Sequence, residues 1–232
     1  MSAGPVRGGP AGEREPEGGA RSTAADDGTT GRRRRAVLAG HGGDRRDAAR
    51  LTGDVDPTVR AAALGALGRL GALDDVVLLG AFGDPDPTVR RRAGALAGGS
   101  VDLDAASTAL MNGLVVLLDD ADPSVAETVA WALGEYGARC PAAAVAALCR
   151  VAGAHASPLC REAAVAALGA VGAPDTLAVV LSALDDTVNI RRRAAIALAA
   201  FDDPAAEEGL RRCLRDRDWQ VRQAAEELLD DT

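Results

Sequence analysis

Asp54-Val55-Asp56-Pro57-Thr58-Val59-Arg60-Ala61-Ala62-Ala63-Leu64-Gly65-Ala66-Leu67-Gly68 is a helix start followed by an apolar run. The Asp56 carboxylate can accept the free N–H groups of a first helical turn, and Pro57 sits where a missing N–H does no harm. The pattern recurs. With Val59 as position zero, copies align without gaps at Val89, Val125, Cys160, Ile190 and Val221, at spacings of 30, 36, 35, 30 and 31 residues. A fixed motif at such spacings is the mark of a repeat protein.

Each copy predicts a pair of helices. The second helices begin at Pro57, Pro87, Pro123, Pro158, Val188 and Trp219, each preceded by a residue suited to capping: Asp56, Asp86, Asp122, Ser157, Thr187 and Asp218. The first helices are expected near 73–81, 103–118, 142–151, 175–184 and 205–214, three of them with a proline at or near the start (Pro141, Pro174, Pro204). Positions 0, 4, 7, 8 and 11 of the second helix form one face, which in the third copy is Val125, Val129, Ala132, Leu133 and Tyr136. Tyr136 is thereby expected in the core with its hydroxyl near an edge. Gly68, Gly98, Gly134 and Gly169 fall at one aligned position near the helix ends, and mid-helix Gly65 and Gly94 imply close packing or a soft N-terminal half.

The composition agrees with an all-α chain. Of 232 residues 47% are hydrophobic but only 2% aromatic, so small side chains must fill the core. Alanine-lined helices can approach closely and form readily, whereas sheets favour β-branched and aromatic residues. Net charge is −8 and every basic residue is arginine, which points to coding bias rather than to a site. Residues 51–232 hold sixteen arginines against twenty-seven acids, a balance that disfavours sequence-independent binding to nucleic acid.

Cys140, Cys149, Cys160 and Cys213 form no CxxC pair and read as small buried hydrophobes in a reducing, cytoplasmic setting. Residues 1–31 are rich in Gly, Ala, Pro, Glu, Ser and Thr and contain a single Val, so a disordered tail is expected. Residues 32–43 open with Arg32-Arg33-Arg34-Arg35 and read as a basic arm or short helix. The run has the outline of a twin-arginine export signal, but His41, Asp44, Arg45 and Arg46 leave too short an apolar segment. No stretch approaches the ~20 apolar residues of a membrane span.

The motif D-x-D-P-x-V-R-x-x-A-A-x-A-L-G resembles the HEAT-repeat family, in its short phycobilisome-lyase HEAT-like subclass, over about residues 44–231. The resemblance implies an α-solenoid of about six stacked helix pairs, spanning 44–232, whose second helices line a concave face. It also implies that the position-one arginines, Arg60, Arg90, Arg161, Arg191 and Arg222, meet the inter-helix acids Asp54, Asp84, Asp185 and Asp216 in ladders between neighbouring repeats. Ala126 is the exception at position one. The last helix, with Glu226, Glu227, Asp230 and Asp231, reads as a polar cap.

Functions of similar proteins can be weighed residue by residue. Deoxyhypusine hydroxylases hold a di-iron centre through His-Glu pairs, but here His41 is followed by Gly42 and His155 by Ala156. Bilin lyases need a roomy aromatic pocket, and this chain has one Tyr, two Trp and two Phe. Alkylpurine DNA glycosylases of similar fold need a basic, aromatic surface. A His155–Cys160 pair alone is no catalytic constellation. The expectation is a non-catalytic, monomeric scaffold or adaptor for a protein partner, without cofactor or metal; the alternative is a HEAT-like enzyme or accessory subunit, bilin-lyase-like or oxidoreductase-associated.

Positions 2, 6 and 9 of the second helices lie opposite the core face and should project into the groove. Position six reads Gly65, Ala95, Trp131, Ala166, Ile196 and Glu227. Trp131 is its single aromatic, one turn from Glu127 and Glu135: either an exposed anchor near the middle of a surface, the reading favoured here, or an oversized core residue folded back onto a neighbouring helix. The expected partner-binding set is Trp131, Glu127, Glu135, Arg91, Glu162, Arg192 and Ile196.

Overall fold

The structure, a computed structural model, describes residue 1 and residues 28–100 and 107–230. These hold thirteen α-helices: α1 (Thr29–Gly42), α2 (Arg45–Leu51), α3 (Pro57–Arg69), α4 (Asp75–Phe82), α5 (Pro87–Ser100), α6 (Thr108–Leu117), α7 (Pro123–Gly134), α8 (Ala142–Ala154), α9 (Pro158–Val171), α10 (Leu177–Ser182), α11 (Val188–Leu198), α12 (Pro204–Cys213) and α13 (Trp219–Asp230). They stack in two layers as an all-α solenoid. The odd-numbered helices form one layer and pack on one another more closely than the even-numbered helices do. The array therefore curves with the odd-numbered layer inside. None of the described helices is long and apolar enough to cross a membrane.

Small residues set that close approach. A Cβ at Gly98 would lie 2.7 Å from the Cα of Ala132, one at Gly134 3.0 Å from the Cα of Ala167, and one at Gly169 2.9 Å from the Cα of Ala197. Position nine is thus a notch for the alanine at position seven of the next inner helix, and not a groove position as the sequence suggests. Gly65 and Gly94 are tightly packed as well, beneath the Arg92 guanidinium and against Val129 respectively. The core face is as expected: Val125, Val129, Ala132, Leu133 and Tyr136 are all buried. The Tyr136 hydroxyl lies inside rather than at an edge and donates to the Ala97 carbonyl at 2.8 Å.

The N-terminal part differs from the sequence reading. Residues 32–42, read as an arm or short helix, belong to α1, which begins at Thr29 and packs on α3 as α3 packs on α5. Its Gly40 presses on Ala66 as the later notches do, a Cβ there falling 2.8 Å from the Ala66 Cα. So α1 is the inner helix of a further copy, with Gly31 in place of the usual Val. Residues 2–27, most of the segment expected to be a disordered tail, and residues 103–106 of the expected first helix 103–118 lie outside the described residues. Capping is also less uniform than the residue types suggest. The carboxylates of Asp56, Asp86, Asp122 and Asp218 accept the N–H two residues on, at 2.8 to 2.9 Å, while Ser157 and Thr187 make no side-chain cap bond.

Candidate partner-binding groove

Two sets of polar side chains are built on this frame. The first is the ladder. Position one of each inner helix points at the loop entering the next, and the planar guanidinium can there grip a carboxylate with two parallel bonds. The rungs are Arg32–Asp54 at 2.8 and 3.2 Å, Arg60–Asp84 at 2.8 and 2.7 Å, and Arg90–Asp120 at 2.7 and 2.7 Å. They continue with Arg161–Asp186 at 2.8 and 2.9 Å and Arg191–Asp216 at 2.8 and 2.9 Å. Asp54, Asp84, Asp120 and Asp216 also accept the N–H two residues on at 2.8 to 2.9 Å. Each such aspartate fixes its own turn and the neighbouring repeat together.

Three corrections follow. Asp186, not Asp185, pairs with Arg161; Asp185 is exposed and lies 3.3 Å from Arg212. The short 3₁₀ turn at Ala183–Asp185 moves the acceptor one residue closer to the helix, and register counting misses that. Arg222 donates to the Asp216 carbonyl at 2.7 Å, and no carboxylate pairs with it among the described residues. Arg32 and Asp120 are rung residues absent from the sequence reading. The guanidinium beside each of Asp54, Asp120, Asp186 and Asp216 holds its carboxyl below the ordinary range. At Asp84 burial pushes upward, but the bonds from Arg60 and the Asp86 N–H outweigh it.

The second set faces the groove. Trp131, in the last turn of α7, is 42% exposed. The Arg193 guanidinium from α11 lies over its ring, 5.4 Å from the centroid, and is 3.7 Å from Glu162 on α9. Through Arg193 three inner helices are thus linked at one place. A cation stacked on an aromatic face fixes the ring with its remaining surface open to solvent. Ile196, one turn after Arg193 on α11, is 40% exposed. With Glu162, Asn189, Arg192 and Arg193 it lines a hollow of about 230 Å³, and Arg192 and Ile196 also border a second of about 450 Å³ that runs to Gln220, Gln223 and Glu227.

Of the expected set, Glu162, Arg192 and Ile196 line one hollow, and Trp131 is joined to it through Arg193. Glu127 is half-buried one turn before Trp131, Glu135 is exposed one turn after it, and Arg91 is exposed on α5. Arg193 was missed; position three carries arginine only in the second and fifth copies, at Arg92 and Arg193, and that irregularity is its one trace in the sequence. A larger hollow lies elsewhere, between α10 and α12, and is lined mainly by charged side chains including Asp185, Arg212, Arg215 and Arg217. Cys140, Cys160 and Cys213 are buried, Cys149 is half-buried, and all four are free thiols. Burial pushes the Cys140 thiol up to about 11. His155 spends its Nδ1 on accepting the Ser157 N–H at 3.0 Å.

Residues 111–196 match the family "HEAT repeats", and residues 190–216 match "PBS lyase HEAT-like repeat". No curated protein matches the chain. Among solved structures, the complex of CpcE and CpcF of phycocyanin lyase from Nostoc sp. PCC7120 is 21% identical with a TM-score of 0.54, covering 80% of this chain and 75% of that one. A designed armadillo repeat protein in complex with the peptide (KR)4 is 18% identical with a TM-score of 0.60, covering 79% and 96%. An engineered protein is 19% identical with a TM-score of 0.61, covering 92% and 66%. Two-layered helical stacking, phased Arg–Asp rungs and both matches lead to one conclusion: the chain folds as an α-solenoid, with HEAT repeats over residues 111–196 and a PBS lyase HEAT-like repeat over residues 190–216.

Proposed function

We propose that the protein is a non-catalytic scaffold that holds an extended segment of a protein partner along the inner face of the solenoid, with Trp131 as its anchor. The observation that carries this reading is the open face of Trp131, pinned by Arg193 at the centre of the concave layer. A pre-positioned aromatic loses little conformational freedom on binding and can bury a large apolar area. Glu162, Arg192 and Ile196, which line the hollow with Arg193, supply charge and apolar contact for orientation. The complex formed by CpcE and CpcF is a precedent for assembly in proteins of this fold.

Affinity capture from the native host with the parent protein, Trp131→Ala and an outer-layer control, Val116→Ala, tests the reading. A specific partner should be retained by the parent and the control and fall by roughly tenfold or more with Trp131→Ala. Equal retention by all three would remove Trp131 as the anchor. A Trp219→Phe background leaves Trp131 as the only fluorophore of its kind; its emission should be accessible to quencher in the free protein and shielded in the complex.

A further inference from the structure

The inner helices α1, α3 and α5 contain nine arginines and no acidic residue. Arg32, Arg60 and Arg90 are rungs, and Arg35 is bonded to Asp47 at 2.6 Å. Arg33, Arg34, Arg69, Arg91 and Arg92 have no carboxylate partner among the described residues. Arg33, Arg69 and Arg91 are exposed, and Arg92 lies over Gly65. Between them α3 and α5 show the small residues Ala61, Ala62 and Ala95, so a backbone could approach the floor closely there, while α1 exposes Val37 and Leu38. Beyond Trp131 the pattern changes, with Glu127, Glu135 and Glu162 interspersed with Arg192 and Arg193.

An acidic protein whose described residues leave these guanidinia unpaired on one concave face has placed them for something outside the fold. Salt screens charges over about 8 Å, less than the ~10 Å diameter of a helix, so acids of the outer layer do not neutralise this strip. Resting on the groove reading above, we propose that the bound segment is an acidic, extended peptide: its carboxylates lie on Arg33, Arg69, Arg91 and Arg92, and an apolar side chain follows onto Trp131. This polarity is opposite to that of the basic peptide carried by the designed armadillo protein.

Fluorescence anisotropy with a labelled peptide of alternating Glu and Leu, its Lys-Leu counterpart and a labelled thymidine oligonucleotide tests the proposal. The variant Arg33→Gln/Arg69→Gln/Arg91→Gln changes only exposed side chains, and circular dichroism checks its fold; the matching Arg→Lys variant keeps the charge. The Glu-Leu peptide should bind roughly tenfold or more tighter than Lys-Leu, lose about that factor in the Gln variant and in high salt, and keep most of its affinity in the Lys variant. Lys-Leu binding as tightly, or Glu-Leu unaffected by the Gln variant, overturns the proposal. An oligonucleotide that binds more tightly than either peptide and is lost in the Gln variant also overturns it, by assigning the strip to nucleic acid. If the Gln variant still captures a native partner that Trp131→Ala loses, the groove reading stands and the acidic partner falls.

Discussion

Five of the six junctions between successive inner helices carry a bidentate Arg–Asp rung, and the junction of α7 with α9 does not. There position one is Ala126, fully buried, and the residue aligned with the rung aspartate is His155. Both partners are replaced together. His155 keeps the local duty of the aspartate, accepting the N–H two residues on through Nδ1, and its carbonyl still receives Arg161 at 2.8 Å. Yet α7 and α9 pack at least as closely as any other neighbouring pair, with Gly134 against Ala167 and the Cys160 thiol donating to the Pro123 carbonyl at 3.2 Å. The lesson is that apolar small-residue packing holds the stack. The rungs adjust it and make it sensitive to acid.

The largest expected effect comes from titrating the ladder as a whole. The rung carboxyls of Asp54, Asp84, Asp120, Asp186 and Asp216 have folded-state pKa values below their unfolded values. Their contribution is therefore fully present above the unfolded carboxyl pKa, near 4, and is lost as pH falls through the lower folded values. With each rung worth on the order of 1 kcal/mol, stability measured by denaturant titration should be nearly level from neutrality to about pH 5 and several kcal/mol lower near pH 2. Equal stability at both ends of that range would mean that the rungs contribute nothing.

Second in size is Val125→Asp, at the rungless junction. Val125 is fully buried at position zero of α7, and a carboxylate there has no partner, which costs about 3 kcal/mol or more. Because contacts in a repeat array are between neighbours, damage here should uncouple the halves and turn one denaturation transition into two. A variant as stable as the parent would place the core register elsewhere.

The sequence makes the repeat and the core face legible because cap, proline and apolar period coincide at each copy. It conceals what breaks the phase. The acceptor for Arg161 is one residue out of register through a 3₁₀ turn, and α1 lacks the Asp-Pro start and the Val at position zero, so its rung arginine, Arg32, reads as one of a charge run. Arg193 reaches Trp131 across two repeats, a contact that depends on curvature, which is not written in a local motif.

A third prediction isolates one rung. Asp216→Ala leaves the Arg191 guanidinium, only 5% exposed, with a single bond to the Asp186 carbonyl at 3.0 Å. An unpaired buried guanidinium should cost about 2 kcal/mol. Part of that returns with Arg191→Met/Asp216→Ala, which removes the stranded charge as well. If the double variant is less stable than Asp216→Ala alone, the rung owes its value to the arginine stem and not to the ion pair.

The smallest effect is expected from building the missing rung with Ala126→Arg/His155→Asp. A half-exposed pair is worth about 0–1 kcal/mol, while an arginine at the fully buried Ala126 must displace packed neighbours at a cost of about 1 kcal/mol or more, so the double variant should be less stable than the parent by about 1 kcal/mol. Ala126→Arg alone should be less stable than the double, since it adds a guanidinium without a carboxylate. The coupling of the two changes in a double-mutant cycle should be about 0.5 kcal/mol or more. The added carboxyl should also steepen the loss of stability below pH 4, since its folded pKa would join the lowered set. If the coupling is nil and the acid limb is unchanged while the fold is intact, the loop from Ala154 to Ser157 cannot present a carboxylate to α7. The α7–α9 junction would then differ from the others in loop geometry, and the absent ion pair would follow from that rather than from two side-chain replacements.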